Sequence, residues 1–539
     1  MLNLMKKHWA LISSIFLFCI IIAILFVLSI QKTNGHLVYA LDDSYIHMAI
    51  AKNFSQYASW GVNRNSFSSS TSSPIWTFLL SIIYLIFGVN DISPFILNII
   101  FSILAITAFY FILKTYTSRN LLIFIVLIRI MFFTPLLSLV FGGLEHTLQI
   151  LLDIIFIYFS VRILSTEQYS SSELILPLIL APLVILVRYE GLFLVFTVFI
   201  LLFIKKRYKY SIYMSLSGIL PISIYGLISI IHGWYPLPNS VLMKGNRPHL
   251  SNISSIINTF GGTCLKQMTK NIHILVLIIS ALFILIILYN ENKYIWKENK
   301  LYIIIFIAVT LLHLQFAKTG WFFRYEAYLV PLGLFSIFIG IYKYIPQKIK
   351  LKNIKIDFIP VYIFILILTL IIIYPLAKRG LHATREIPDA TKNIYEQQYQ
   401  MGLFLKKYYN NSIVAANDIG AINYLSDIEC LDLIGLGDMD IAELRRKKLF
   451  NTESLYKLAK EKNVKIAILY KNWFEVFGGF PKEWIEVGKW GIPKKVVCGD
   501  TLVSFFAVDT LEKYTLINNL KDFSRYLPKD VYQSGIYTQ

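Results

Sequence analysis

MLNLMKKHWALISSIFLFCIIIAILFVLSIQ (residues 1–31), followed shortly by LDDSYIHMAI (41–50), sets an apolar run of about twenty residues just ahead of two adjacent aspartates. Lys6 and Lys7 precede the run and no small-residue cleavage site follows it, so it reads as an anchor helix with a cytoplasmic start rather than a cleaved signal. Charge beside a membrane is costly, which makes Asp42 and Asp43 functional candidates from the outset.

The rest of the chain fits this setting. Of 539 residues, 56% are hydrophobic and only 15% charged, a balance that excludes an ordinary soluble domain. The net charge of +19 could suggest nucleic acid, but the basic residues fall in short loops between apolar runs, as in KKRYKY (205–210), NENKYIWKENK (290–300) and KYIPQKIKLKNIK (343–355). That is the positive-inside pattern, so the charge is read as topology, with no nucleic-acid partner. Apolar runs recur to about residue 378, and counting all of them gives about twelve spans. Placing the three basic loops inside leaves one crossing too many. The run at 75–89 is short and follows a long polar loop, so it is expected to lie in the outer interface. About eleven spans remain. Residues 31–74, FGGLEHT (141–147), VRYEG (187–191), 232–272 and AKTGWFFRYE (317–326) then share the outer face.

The composition changes near residue 380. Short apolar runs alternate with polar segments, predicting an extracytoplasmic α/β domain over 380–539 behind a membrane domain over 1–379. Its segment NDIGAINYL (417–425) has one glycine where a nucleotide-binding loop needs several, and is a weak phosphate signal. The four cysteines, at 19, 264, 430 and 498, have no metal-ligand spacing; Cys430 and Cys498 share the tail, and a disulfide between them is left open.

Each candidate residue has a structural reading and a functional one. DDSYIHMAIAKNFSQY (42–57) has Ile46, Ala49, Ile50 and Phe54 at helical spacing, so it is expected to lie on the membrane as an amphipathic helix. Capping would account for one aspartate; the other is left for a catalytic base or a metal ligand. Glu145 and His146 open a helix. They serve either its first turn or, with Asp43, a divalent cation (Mg, Mn or Ca), or they position an acceptor. Arg188 and Glu190 interrupt an apolar run, and either pair with each other or serve a site. Asn239 and Lys244, in a proline- and glycine-shaped loop with Arg247, suit an anionic ligand. Arg324 is an interfacial anchor, a partner of Glu326 or a phosphate clamp. The serine-rich run SFSSSTSSP (66–74) is a polar loop whose hydroxyls suit sugar or phosphate, without a nucleophile motif.

Taken in order, LDDSYIHMAIAKN, SSPIWTFLLSIIYLIFG, FGGLEHTLQ, RYEG, WYPLPNSVLMK and FFRYEAYLVP resemble the GT-C integral-membrane glycosyltransferases. The likeness is to the polyprenyl-phosphate-sugar transferases: the terminal arabinofuranosyltransferase group, whose periplasmic domain NDIGAINYLSDIECLDLIGLGD (417–438) also resembles, and more distantly protein O-mannosyltransferases and lipid A aminoarabinose transferases. The resemblance implies a mainly α polytopic membrane protein of GT-C type with outer interfacial helices. It implies inverting transfer of one sugar from a polyprenyl-phosphate donor to an envelope glycan, lipid or protein acceptor, at the outer face of a bacterial plasma membrane. It gives the base role to the acidic residue after the first span, Asp42 with Asp43 beside it, and donor-phosphate contacts to Lys244 and Arg324. The rival reading is a transporter or a flippase for a lipid-linked sugar, against which stand the absence of an internal repeat and the large outer loops.

Overall fold

A computed structural model of the chain describes residues 2–167, 171–244, 261–345 and 359–539. The first part is helical: α1 (Leu2–Lys32), α2 (Asp42–Tyr57), α3 (Pro74–Phe87), α4 (Ser93–Tyr116), α5 (Asn120–Phe133), α6 (Leu136–Gly142), α7 (His146–Ser165), α8 (Ser171–Val187), α9 (Gly191–Ile204), α10 (Tyr208–Ile231) and α11 (Asn239–Lys244), then Ile272–Glu291, Glu298–Phe316, Leu329–Ile341 and Ile359–Ile394. Among the described residues six helices are long and apolar enough to cross a membrane, or seven if α5 and α6, bent by 42°, form one broken span. Shorter apolar helices, α3, α9 and most of α8 among them, fall below the length that fills a bilayer unaided. The long helices leave large apolar side chains on the outside, as α10 does with Leu216, Leu220, Leu227 and Ile231. Such a surface suits lipid, and the chain is an integral membrane protein.

The helix Ile359–Ile394 runs without interruption through position 380, into a π-helical turn at Tyr395–Tyr399 and then Gln400–Tyr408. It leads into a six-stranded sheet of β1 (Ile413–Ala416), β2 (Glu429–Asp432), β3 (Ile466–Leu469), β4 (Ile485–Gly491), β5 (Leu502–Ala507) and β6 (Tyr532–Gly535), in the order β2-β1-β3-β5-β4-β6. β1 pairs with β2 and β3 in parallel, and the remaining pairs are antiparallel. This is the expected α/β tail. One face packs Phe404, Trp490, Phe505 and Phe523, with Trp490 and Phe505 ring centres 4.4 Å apart. Aromatic rings supply much buried area per residue, which a small domain needs.

No disulfide links Cys430 and Cys498, which are buried free thiols. Cys430 lies on the edge strand β2, whereas Cys498 sits between β4 and β5 and donates to Gln398 Oε1 at 3.3 Å, so β1 and β3 intervene.

α2 does not lie on a membrane surface with one face free. Residues Ser44 to Asn53 are all buried. Met48, Ala49 and Ala51 join the core of the helical part, while Ile46 and Ile50 join the sheet's core with Met401, Ile419 and Ile422. The helix is the seam between the two cores, so its apparent polar stripe is inside the protein.

Candidate functional site

The two aspartates are consecutive on α2, so their side chains diverge by about 100° around the helix axis. Neither caps it: the N-cap is Leu41, with no side-chain capping bond. Asp43 turns into a cavity of about 260 Å³ and forms an ion pair with Arg324. Asp42 turns toward the sheet domain, where its Oδ2 and Oδ1 accept the backbone N–H groups of Gly420 and Ala421, each at 2.8 Å. Burial and the neighbouring Asp418 carboxyl push Asp42 up to about 8, against the lowering effect of the two amides.

Glu145, Arg188 and Glu190 reach the same cavity from α7, α8 and the turn before α9. Glu145 is at the N-cap of α7 but makes no capping bond; it is fully buried and accepts from Arg188 Nη1 at 2.8 Å. Arg188 also forks onto Glu190, at 3.1 Å from Nε and 2.6 Å from Nη2. The local pairing expected of Arg188 and Glu190 is therefore present, with Glu145 added as a third member. Bidentate geometry is what a planar guanidinium supplies and an ammonium does not. Tyr325 lies between the two arginines, with Arg324 5.0 Å and Arg188 5.8 Å from its ring centre. Arg324 does not pair with Glu326, which is instead held by Arg379 at 2.7 Å and by the Gly320 amide at 2.7 Å.

His146 and Asn239 lie outside this group. His146 is buried behind Glu145, its Nε2 4.0 Å away, and does not line the cavity. Asn239 donates to the carbonyl of Gly435, and its own amide donates to Ser69 O, so it ties a loop to the sheet domain. The side chain of Lys244, and the whole of Arg247, lie outside the described residues.

Several cavity residues were not singled out from the sequence. His47, on the turn of α2 after Asp43, bonds Thr77 at 2.8 Å and Thr71 at 3.1 Å; burial lowers its pKa, which leaves it neutral 3.9 Å from Glu145. Helical spacing from Asp43 was the signal that could have found it. Ser70 and Ser72, from the serine-rich run noted above, also line the cavity, as does Lys318.

A divalent cation fits this set poorly. Asp43 and Glu145 each have a guanidinium partner, so a metal between them would have to displace Arg324 and Arg188. Among the described residues, no three His, Cys, Asp or Glu side chains are grouped to hold one. The arrangement offers a carboxylate, Asp43, paired with one guanidinium and sharing its cavity with a second.

A second cavity, of about 660 Å³, is an apolar groove lined by Phe54, Phe78, Leu186, Tyr225 and Ile228. His47 of α2 and Arg188, just past α8, line the first space, and Phe54 of α2 and Leu186 of α8 line the second.

A family described as a domain of unknown function, DUF8728, matches residues 392–506, most of the sheet domain. No curated protein sequence matches the chain. Among solved structures, ArnT from Cupriavidus metallidurans bound to undecaprenyl phosphate is similar, with a TM-score of 0.51 at 10% identity over 92% of this chain and 98% of that one. The apo oligosaccharyltransferase of Archaeoglobus fulgidus has a TM-score of 0.55 at 11% identity, over 94% of this chain and 75% of that one. AglB from the same organism, in complex with an inhibitory peptide and a dolichol-phosphate, gives 0.51 at 11% identity over 99% and 77%. ArnT and AglB are GT-C glycosyltransferases. The resemblance read from the sequence thus extends to the whole architecture: the chain has the fold of the GT-C integral-membrane glycosyltransferases.

Proposed function

We propose that the chain is a membrane glycosyltransferase that moves one sugar, with inversion, from a polyprenyl-phosphate donor to an acceptor hydroxyl of the cell envelope. The observation that carries this reading is Asp43 beside Arg324 and Arg188 in one cavity, next to an apolar groove. The lipid tail lies in the groove and the sugar phosphate in the cavity, so anchoring both in the membrane supplies proximity. Structural neighbours bound to undecaprenyl phosphate or to a dolichol-phosphate support a donor of that class.

In the reaction the acceptor oxygen forms a bond to the anomeric carbon and gives its proton to Asp43. The bond from that carbon to the phosphate oxygen breaks, and its electron pair leaves with the lipid phosphate. Arg324 and Arg188 meet the charge developing on that phosphate, where fixed cations contribute most. Arg324 holds Asp43 in an ion pair until the donor phosphate draws the guanidinium away. Glu145 and Glu190 hold Arg188 in place from behind. With an unassisted phosphate leaving group, no second carboxylate is required as an acid. The membrane domain reads as residues 1–379 and the sheet domain as 380–539. The four shorter helices and Ile359–Ile394 allow about eleven crossings if α3 stays in the interface. The amino terminus is then inside and the sheet domain outside.

The test is mass spectrometry of the lipids that copurify with the chain. A polyprenyl-phosphate sugar is expected, converted to the free polyprenyl phosphate when envelope glycan is added. Asp43→Asn should slow that conversion by roughly 10²- to 10⁴-fold, the usual contribution of a general base. Transport of the intact lipid between leaflets with no sugar lost would overturn the reading in favour of a flippase.

A further inference from the structure

Asp42 is conspicuous beside the reacting group, yet its carboxyl is committed elsewhere. Both of its oxygens are taken by the amides that open the short helix Ala421–Leu425 of the sheet domain. At the other end of that helix, Lys52 Nζ, on the same α2, donates to Tyr424 O at 3.0 Å and to Ser426 O at 3.4 Å, and pairs with Asp427 at 2.9 Å. One helix of the membrane part thus grips one helix of the sheet domain at both termini, a carboxyl on its N-terminal amides and an ammonium on its C-terminal carbonyls. The Lys52 ammonium meets the end of the helix dipole that it complements, and the Asp42 carboxyl accepts the amides at the other end. The approach is close enough to require glycine at 420, because a Cβ there would sit 2.0 Å from the Asp42 carbonyl oxygen. Asn63 adds a second tie: its side chain both donates to the carbonyl of Cys430 at 3.0 Å and accepts from its N–H at 2.9 Å, pairing with the edge strand β2 as a neighbouring strand would.

We infer that Asp42 is a positioning residue, and that the sheet domain, through Gly420, Ala421 and Tyr424, sets where α2 presents Asp43 to the cavity. This rests on the proposal that Asp43 is the base. Adjacent residues on one helix turn move together, so a shift of α2's first turn carries Asp43 out of line with Arg324. Small misplacements of a reacting group are costly to turnover. The sheet domain is then part of the catalytic apparatus without contributing an atom to the chemistry.

Hydrogen exchange and turnover, measured on the full chain in lipid nanodiscs, separate this role from a chemical one. Asp42→Ala is expected to speed exchange at least tenfold over residues 42–57 and 420–425, and to lower kcat at least tenfold with KM for the copurifying lipid unchanged. Asp42→Asn, whose amide oxygen still accepts one of the two N–H groups, should keep turnover within tenfold of wild type. Asp43→Asn should slow transfer by roughly 10²- to 10⁴-fold and leave exchange at 420–425 as it was. Gly420→Ala keeps both carboxyls and should reproduce the Asp42→Ala pattern; if it fails to fold, Lys52→Met carries the same expectation from the other end of the grip. The inference is overturned if Asp42→Asn silences transfer as fully as Asp43→Asn while exchange is unchanged, or if Asp42→Ala leaves exchange at 420–425 unaltered. Should the wild-type chain transfer no sugar, the function proposed for Asp43 fails, but the exchange measurements still decide whether the grip exists.

Discussion

At the residue scale, Arg188 holds the cavity floor together. Its guanidinium is buried and serves Glu145, which is fully buried, and Glu190. Replacing it by Met leaves the Glu145 charge uncompensated in a low-dielectric site, and removal of one partner of such a pair costs about 3–5 kcal/mol. Arg188→Met is therefore expected to lower the unfolding midpoint strongly, as thermal or denaturant unfolding would show. Arg188→Met with Glu145→Gln should recover part of the loss, because the second change removes the stranded charge. Equal losses in the single and double variants would mean that packing, rather than charge pairing, dominates. The residue types at 145, 188, 190 and 324 were legible in the sequence because charge near apolar runs is rare. Which of them face one another was not. Arg324 stands two residues from Glu326 yet turns to Asp43, and the partner of Glu326, Arg379, lies on a helix far along the chain.

At the scale of elements, the loops between helices carry more of the structure than their composition suggests. The serine-rich segment reads as a solvated loop, but Ser68, Ser69, Ser70, Thr71 and Ser73 are all buried, with Ser68 and Ser70 bonded within the loop and Thr71 bonded to His47 of α2 and Thr77 of α3. NDIGAINYL resembles a weak phosphate loop, and its amides do bind an acidic group, namely the chain's own Asp42. The sequence pattern was informative about backbone N–H groups facing an acceptor, and silent about which acceptor, since that depends on tertiary approach from 378 residues away. Asn63 is the clearest case of a loop residue with a structural task. Asn63→Ala strands the N–H and C=O of Cys430 at the edge of β2, and such a loss costs about 1–3 kcal/mol for each group left unsatisfied. The expected result is faster hydrogen exchange at 429–432 and a lower unfolding midpoint; Asn63→Asp, which keeps only the acceptor, should fall between the two.

At the scale of the whole molecule, two cores meet along α2, and the meeting surface contains titratable groups. Asp42 faces Asp418, with Asp43, Tyr470, Cys498 and Cys430 close by; Gln398 and Tyr470 donate to Asp418 at 2.7 Å and 3.0 Å. Burial raises both Asp42 and Asp418 above the ordinary carboxylate range, Asp42 to about 8. With the joint open, Asp42 meets water and returns toward its ordinary value near 3.8. Between those two values the closed joint holds a proton that the open one has released. Closure is therefore fully favoured below the ordinary value, weakens as pH rises, and levels off above about 8, by at most about 1.4 kcal/mol per pH unit. Exchange at 420–425, corrected for its intrinsic pH dependence, is expected to quicken steadily from about pH 5 to pH 8, and Asp42→Asn should flatten that slope because an amide does not titrate. A slope that persists in Asp42→Asn would move the titration to Asp418. Stability that rises over the same interval would instead mean that the two amides of Gly420 and Ala421 outweigh burial, and that Asp42 is ionised in the closed joint.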